Sequence, residues 1–510
     1  MGAERPVNPS IWLVSEPAAA RWPALAGDST AEVCVVGGGI TGVTTALLLQ
    51  QSGVDVVLLE GDTIASGTTG STTAKVTSLH SLVYAQLLRE QGEERARQYA
   101  DANEAAIATV AGLVDQHGIA CDLERRPAVT YTQDPDRVGD IADEVEAAQR
   151  LGLPASFVSD LEPPFEAVAA VRFDDQAQLH PRRYVLGLAE AFVAAGGRIH
   201  ERTRVVDVDE HGDGTEVRVD GGGRVRAGDV VLATLLPIKD VGGFFAKAHP
   251  YRSYAMAVRA SVVPQAMYYG VDSPSRSSRT VRFDDGTEGL VLGGNGHKVG
   301  EEPDTPGQYA DLEAWARSSF GVSALEARWS AQDYEPVDSI PYVGRSPRLQ
   351  RTWVATGFKK WGMTNGTAAA MILTSHLRGE PSPWTEVFDA TRIDAGASVK
   401  TFVEENLDVG KRFVQDRIRK WRAPGADVLG AGEGGLVEVD GLHVAAYRHD
   451  DGRLSAVSAT CTHLGCTVLW NQAERSWDCP CHGSRFDCEG KVLAGPATTP
   501  LEPIEIEQED

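Results

Sequence analysis

The sequence predicts an α/β domain built on a βαβ unit, carrying an α+β domain of mixed or antiparallel sheet, followed by a small all-β domain. Three observations predict it. Near the N-terminus an apolar run, a glycine-rich turn, an apolar helix and a second apolar run follow one another. The middle of the chain alternates in polarity and turns at Asp-Gly and Gly-Gly. The last part is short strands and turns, and it holds five of the seven cysteines, four of them in CTHLGC and CPCHGSRF.

Taken in order, residues 1–30 contain acids and prolines but no apolar run, so they read as an extended arm without a targeting segment. AEVCVV (31–36) is a strand, VTTALLLQQSG a helix packed on a sheet, and VDVVLLE a second strand. Residues 80–117 read as one or two helices, and RVGDIADEVEAAQRLG as another. HPRRYVLGLAEAFVAAGG opens on proline and closes on glycines, a matched helix start and stop. From 198 the chain makes a three-stranded antiparallel excursion and then a buried strand at 230–233. SYAMAVRASV, AMYYGV, TVRFDD and GLVLGGN are further strands, 307–320 a helix, RTWVATGF a strand and NGTAAAMILTSHLRG a helix. Residues 385–425 are mixed and polar, 391–425 is expected to bridge two domains, and a domain boundary falls near 425.

The 510 residues allow two to four domains with large cores. A hydrophobic content of 42% and a charged content of 24% read as globular and soluble. The net charge of -24 argues against nucleic acid or an anionic membrane as partner. The most apolar windows, near 33–42 and 230–237, are too short and too interrupted to span a bilayer. A cytoplasmic protein is expected. Seven cysteines in this length do not make a disulfide scaffold.

VVGGGITG places Gly37, Gly39 and Gly42 between a strand and a helix. The glycines permit a tight turn and backbone approach to a pyrophosphate, and the helix N-terminus supplies donors and positive potential. Glu60 closes the second strand, where a carboxylate accepts from ribose hydroxyls. This is a Rossmann-like dinucleotide site. The unit itself does not decide between FAD and NAD. GDTIASGTTGSTTAK, directly after the acid, offers Ser66, Thr68, Thr69, Ser71 and Thr72 as phosphate donors.

On VCVVGGGITG, Glu60, GTTGSTTAK, HPRRYVLGLA, TRVVDVD, VVLAT and VATGFKKWGMTNG, the first 390 residues resemble the D-amino-acid-oxidase-like FAD flavoproteins, a group that includes glycine, sarcosine and gamma-glutamylputrescine oxidases. The resemblance implies an FAD-binding oxidoreductase domain at 31–390, with a substrate subdomain drawn roughly from 85–175 and 240–330. It implies that Gly37, Gly39, Gly42 and Glu60 hold the ADP half. Thr68, Thr69, Ser71, Thr72, Ala74 and Lys75 would follow the pyrophosphate towards the flavin, with Val205 or Val206 behind the adenine. Gly357, Phe358, Trp361, Gly362 and Met363 would return beside the isoalloxazine. The helix begun near Thr364 and Asn365 would point its N-terminus at the flavin, where a helix dipole stabilises the anionic reduced form.

At the other end, Cys461-x-His463 and Cys479-x-x-His482 form two ligand pairs. Two thiolates on one iron and two imidazoles on the other describe a Rieske [2Fe–2S] centre. A Cys2His2 zinc site is the rival, but its spacing places the cysteines together and the histidines together. CTHLGC…CPCHGS over residues 426–510 resembles the Rieske fold. By that resemblance Cys461 and Cys479 bind one iron, and His463 and His482 bind the other through solvent-facing rings. Cys466 and Cys481 match the disulfide of the respiratory and photosynthetic members. Ser484 stands where those proteins keep a serine donating to a bridging sulfide. Phe486 replaces a tyrosine donor, so a potential below theirs is expected. Cys34, Cys121 and Cys488 have no evident partner.

A flavin takes two electrons and a Rieske cluster carries one. The reading that follows is an FAD-dependent amine or amino-acid dehydrogenase or oxidase, which passes electrons through the cluster to an external redox carrier. The alternative is a reductase running from a carrier protein or NAD(P)H through the cluster to the flavin. A third class, a redox-sensing or structural protein, is opposed by the intact ligand sets. Tyr254, Tyr268 and Tyr269 lie on expected strands of the substrate layer, half of them pointing into core. His297 and Lys298, in a glycine-rich turn, would steer a substrate carboxylate or tune the flavin. Arg345 would bind a substrate acid or cap the sheet. Lys359, Lys360 and Trp361 lie beside the expected flavin edge.

Overall fold

Unbroken runs of valine and leucine decide where the first sheet lies, because a parallel strand covered on both faces needs no polar side. In the computed structural model, which describes residues 7–380, 382–392, 424–439 and 442–505, Val33 to Val36 and Val56–Leu59 are buried throughout. Val33, Val35, Val56 and Leu58 face a core shared with the helices Ile40–Gln51, Pro181–Ala194 and Gly362–Leu377. Cys34, Val36, Val57 and Leu59 face a second core on the other side.

This sheet has eight strands. Ser29–Val36 runs parallel to Val56–Leu59 on one side and to Arg224–Leu232 on the other. The expected excursion is present as Val205–His211 and Gly214–Val219, antiparallel to each other, with Gly214–Val219 also antiparallel to the start of Arg224–Leu232. The third excursion strand and the buried strand at 230–233 are therefore one element, because the same backbone pairs with different neighbours on its two edges. Thr352–Thr356 adds in parallel beyond it.

The second sheet is mixed, in the order Val322–Pro336, Ala248–Ala260, Glu288–Lys298, Arg276–Arg282, Met267–Gly270, Ala128–Thr132, Ala169–Phe173 and Ala155–Val158. The one parallel pair in that order joins Met267–Gly270 to Ala128–Thr132. The helices Val83–Gln91 and Glu93–His117 bury their apolar faces in the core of the nucleotide-binding helices.

The N-terminal arm is not simply extended. Ile11–Ser15 is a helix capped by Ser10, and Trp12 is 1% exposed. The Trp12 indole N–H donates to the Thr72 carbonyl at 2.7 Å, and the Arg279 guanidinium lies 4.8 Å from its ring centroid. An isolated five-residue helix has no stability of its own, so tertiary burial of Trp12 explains why the local sequence did not announce it.

The bridge expected at 391–425 lies almost wholly outside the described residues. Beyond it stand a three-stranded antiparallel sheet (Gly434–Val439, Leu442–Arg448, Leu454–Ser458) and a four-stranded one (Leu469–Asn471, Ser476–Asp478, Arg485–Phe486, Val492–Ala494). Trp477, Phe486 and Val468 fill their core. Among the described residues no helix is long and apolar enough to cross a membrane.

Trp12→Ala is expected to cost about 3–5 kcal/mol, read as a lower thermal midpoint of the flavin-loaded chain. An unchanged midpoint would show that the arm is peripheral.

Candidate functional site

The glycine turn is closed by contacts that leave no room for side chains. A Cβ on Gly37 would stand 2.4 Å from the Ala233 carbonyl oxygen, and the residue sits at φ 111. A Cβ on Gly42 would stand 1.9 Å from the Gly37 carbonyl oxygen, so Gly42 sets the helix against the strand rather than lining the site. Glu60 accepts from the Gly38 N–H at 2.6 Å and the Asp62 N–H at 2.8 Å. Burial raises its carboxyl, and those two donors work against that rise. The Thr69 hydroxyl accepts from the Ile40 N–H at the start of the following helix, whose first turn holds no acid.

From this turn opens a cavity of about 1210 Å³. Gly37, Gly39, Glu60 and Val205 line the cavity, and so do Thr68, Thr69, Ser71, Thr72 and Lys75. Phe358, Trp361, Gly362 and Met363 close beside them, with Tyr254, Tyr269 and His297 across from the second sheet. Six expected residues stand back from the cavity wall. Gly42 packs helix on strand. Ala74 is fully buried among Ala255, Val291 and Trp329. Val206 lies beside the lining Val205 on its strand. Gly357, at φ 79, presses on Pro336. The Thr364 hydroxyl bonds to the Thr77 carbonyl at 3.0 Å. Lys298 follows His297 and contributes its carbonyl, which accepts from His297 Nδ1 at 2.8 Å.

Tyr254 and His297 come together because their strands pair antiparallel across a bulge. The Tyr254 hydroxyl lies 3.1 Å from His297 Nε2. With Nδ1–H donated to a carbonyl, Nε2 accepts from that hydroxyl, and burial lowers the imidazole's affinity for a second proton. Tyr268 and Tyr269 divide by strand alternation: Tyr268 is buried and bonds to Glu162 at 3.0 Å, while Tyr269 lines the cavity. Arg345 is exposed, reaches Gln350 and plays no part in the cavity.

The lining residue His80 escaped the sequence reading. His80 stacks on Trp361, with ring centroids 4.9 Å apart. Its Nε2 donates to the Thr77 carbonyl at 2.8 Å and its Nδ1 accepts from the Tyr99 hydroxyl at 2.6 Å. Burial pushes its pKa down to about 3, so the ring is a neutral brace. Lys359 and Lys360 both adopt positive φ, 50 and 68, a conformation that persists in such residues only when the surroundings over-determine it. Here the Lys359 N–H donates to the Tyr334 carbonyl at 3.0 Å and the Lys360 N–H to Asp333 at 2.6 Å. Burial raises the Asp333 carboxyl to about 6. Burial would lower Lys360, but Glu335 at 2.9 Å together with Tyr269 and Tyr251 more than offsets it. Lys75 is 8% exposed, and its ammonium meets no hydrogen-bond or ion-pair partner among the described residues; burial, then Arg279, push it down to about 7.

At the C-terminal site two loops face each other. Cys461 and Cys479 are buried with their thiols hydrogen-bonded; the contact lowers Cys461 and holds Cys479 well up. The rings of His463 and His482 lie 5.1 Å apart, and the Nδ1 atom of each is buried without a hydrogen-bond partner. Burial lowers both imidazoles, His482 to about 3, so both are neutral as ligation requires. Two thiols opposite two orphaned imidazole nitrogens fit a Rieske cluster. Cys466 and Cys481 are joined as a disulfide bracing the loops. The Ser484 hydroxyl accepts from the Ala497 N–H at 3.0 Å and bonds to Cys461, while Phe486 is buried and offers no donor.

The His482 ring is not turned to solvent as the resemblance implies, while His463 is half-buried. His482 is 5% exposed, and Phe245 of the first domain lies 5.0 Å from its ring. The Tyr334 hydroxyl donates to the His482 carbonyl at 2.7 Å, and Gln332 Nε2 donates to the Gly483 carbonyl at 2.7 Å. Arg252 and Asp478 form a buried ion pair at 2.7 Å across the same face.

The family model for FAD dependent oxidoreductases (DAO) matches residues 32–376, and the Rieske [2Fe-2S] domain model matches 423–505. The chain therefore belongs to the FAD dependent oxidoreductase family and carries a Rieske domain behind it. It is 36% identical over 489 residues to a Bacillus subtilis (strain 168) protein named as the Rieske 2Fe-2S iron-sulfur protein YhfW, spanning 95% of this chain and 96% of that one. The cytochrome b6-f complex iron-sulfur subunit of Chlorobaculum tepidum is 40% identical over 87 residues, 17% of this chain and 47% of that one. Among solved structures, glycine oxidase from Geobacillus kaustophilus matches with a TM-score of 0.61 at 18% identity, over 72% of this chain and 99% of its own. L-proline dehydrogenase from P. horikoshii matches with a TM-score of 0.59 at 18% identity, over 72% and 98%. At that identity these two show the fold.

Gly37→Ala forces a methyl onto a backbone carbonyl and is expected to give protein without flavin absorbance, its cluster intact. Cys461→Ser is expected to do the reverse, losing iron and the cluster spin signal while retaining flavin. Loss of both cofactors from either variant would contradict two separately held sites.

Proposed function

We propose that this member of the FAD dependent oxidoreductase family oxidises an amine or amino acid at the flavin and discharges the electrons through the Rieske cluster to an external one-electron carrier. The observation that carries the reading is the cavity itself. It is lined by the nucleotide loops, by the second sheet and also by Glu474, Arg485 and Gly495 of the Rieske domain. Substrate space, flavin space and the iron–sulfur domain therefore share one wall. Fold neighbours named as glycine oxidase and L-proline dehydrogenase support the substrate class. Glu302, Glu335 and Glu474 along the wall suit a protonated amine as the entering species.

When bound, the flavin supplies hydride acceptance and the cluster single-electron carriage. The chain supplies position and charge. Trp361 and Tyr269, with ring centroids 5.6 Å apart, form an aromatic wall that orients the substrate carbon. His80 fixes Trp361 by stacking and cannot itself take a proton near neutrality. The N-terminus of Gly362–Leu377, free of acids in its first turn, and Lys75, whose ammonium has no partner among the described residues, favour negative charge where the reduced cofactor develops it.

The test is anaerobic. The holoprotein is mixed with a panel of amines and amino acids, and flavin bleaching is followed together with the cluster spin signal. Bleaching by one compound followed by a rising cluster signal is the expected result. Cluster reduction by reduced ferredoxin or NAD(P)H, with no amine effective, would reverse the direction of flow. Lys75→Met is expected to slow bleaching about 10²-fold, the loss typical of one charge-stabilising donor, with flavin content unchanged. An unaltered rate would remove Lys75 from the chemistry.

A further inference from the structure

Three consecutive residues of the Val322–Pro336 strand touch both halves of the molecule. Towards the Rieske domain, Gln332 Nε2 and the Tyr334 hydroxyl each donate at 2.7 Å to carbonyls of the cluster loop, those of Gly483 and His482. Gly483, at φ 74, is pressed so closely that a Cβ would stand 2.5 Å from Gln332 Nε2 and 2.7 Å from the Tyr334 hydroxyl. Towards the flavin side, the Gln332 carbonyl accepts from the Thr68 hydroxyl at 3.0 Å. Asp333 and the Tyr334 carbonyl hold the left-handed Lys359–Lys360 turn that lines the cavity. Arg252, 1% exposed, donates to Gln332 Oε1 at 3.2 Å and to Asp478 at 2.7 Å, and so fixes the Gln332 side chain in register with the iron–sulfur domain.

We propose that Gln332, Asp333 and Tyr334 form a fixed seat on which the cluster loop rests against the flavin cavity, so that electrons pass between flavin and cluster within one chain without a swing of the Rieske domain. Side chains and backbone of this segment give a continuous bonded route from the His482–Gly483 peptide to the Thr68 loop. A domain that had to move during turnover would expose its histidine face; here His482 is buried and its carbonyl is occupied. Each passage moves one electron, oxidising the reduced flavin by one and reducing one ferric iron to ferrous. Two passages, each followed by loss of the electron to an external one-electron carrier, restore the oxidised flavin and release one proton to solvent. Gln332 and Tyr334 are positioning residues in this scheme. The inference rests on the reading that both cofactors serve one pathway, not on the identity of the substrate.

The test therefore omits substrate. In the holoprotein, the flavin is reduced by a light flash with a sacrificial donor, and the cluster signal is followed over a tenfold range of protein concentration. The expected transfer is first order with a concentration-independent rate. In Tyr334→Phe it falls about fivefold, the factor equivalent to one hydrogen bond of about 1 kcal/mol. The fall is larger in Tyr334→Phe combined with Gln332→Leu, with flavin and cluster absorption as in the parent. A rate proportional to concentration, or transfer at the parent rate in both variants, would overturn the seat. An amine panel that fails while flash transfer succeeds would remove the substrate reading and leave the seat standing.

Discussion

The arrangement depends on one buried charge pair, Arg252 with Asp478. Burying two ions is costly unless their remaining donors and acceptors are also satisfied. Asp478 meets that condition: besides Arg252 it accepts from Asn471 at 2.9 Å, Ser476 at 2.9 Å and Arg485 at 3.1 Å. Burial would raise its carboxyl, and the two guanidiniums keep it ionised. Arg252 spends its other donors on Ser330 and Gln332. Asp478 precedes Cys479, and Arg252 also bonds to Ser330 and Gln332 of the strand that lines the cavity, so the pair ties the iron–sulfur loop to that strand.

Without such a contact the two halves would behave as tethered modules, since each has its own core. The interface is reinforced at its rim, where the Tyr309 hydroxyl donates to Glu474 at 2.7 Å and Asn8 to the Ala473 carbonyl at 2.8 Å. The N-terminal segment thus serves both cofactor regions: Asn8 holds the Rieske domain, and Trp12, a few residues on, holds the Thr72 carbonyl of the flavin loop. Consistent with a fixed seat, the residues that line the flavin end are braced rather than mobile in design. His80 is held by bonds to the Thr77 carbonyl and to Tyr99, and the Lys359–Lys360 turn by two bonds to the Val322–Pro336 strand, at Asp333 and Tyr334.

What was legible in the sequence was local. The glycine turn, Glu60 and the Cys-x-His pairs are short motifs whose spacing is their geometry, and the disulfide cysteines sit inside those motifs. The seat was not legible. WSAQDYEP carries no periodic signal that separates a strand from a loop, and its importance arises from partners about 150 residues away at Gly483 and 226 away from Arg252 at Asp478. Arg252 reads as an ordinary charge at a strand edge until an acid from the other domain is set against it. His80 is one polar residue in a helix-prone stretch, and its stacking on Trp361 is a tertiary event. Lys359 and Lys360 were placed beside the flavin edge, but nothing local predicts two adjacent lysines at positive φ. The solvent-facing ring implied by the Rieske resemblance fails at His482 for the same reason: the resemblance covers one domain, and the neighbour that buries His482 lies in the other.

The claim that the Rieske domain is locked onto the flavoprotein by Arg252 and Asp478 is tested most directly by thermal unfolding of the holoprotein with two probes, flavin fluorescence and the visible dichroism of the cluster. If the two domains are one cooperative body, the probes change together in the parent chain and separate in Arg252→Met, with the cluster signal lost first. If the probes are already separate in the parent, the Rieske domain is an independent module and the account of a fixed internal electron path is wrong.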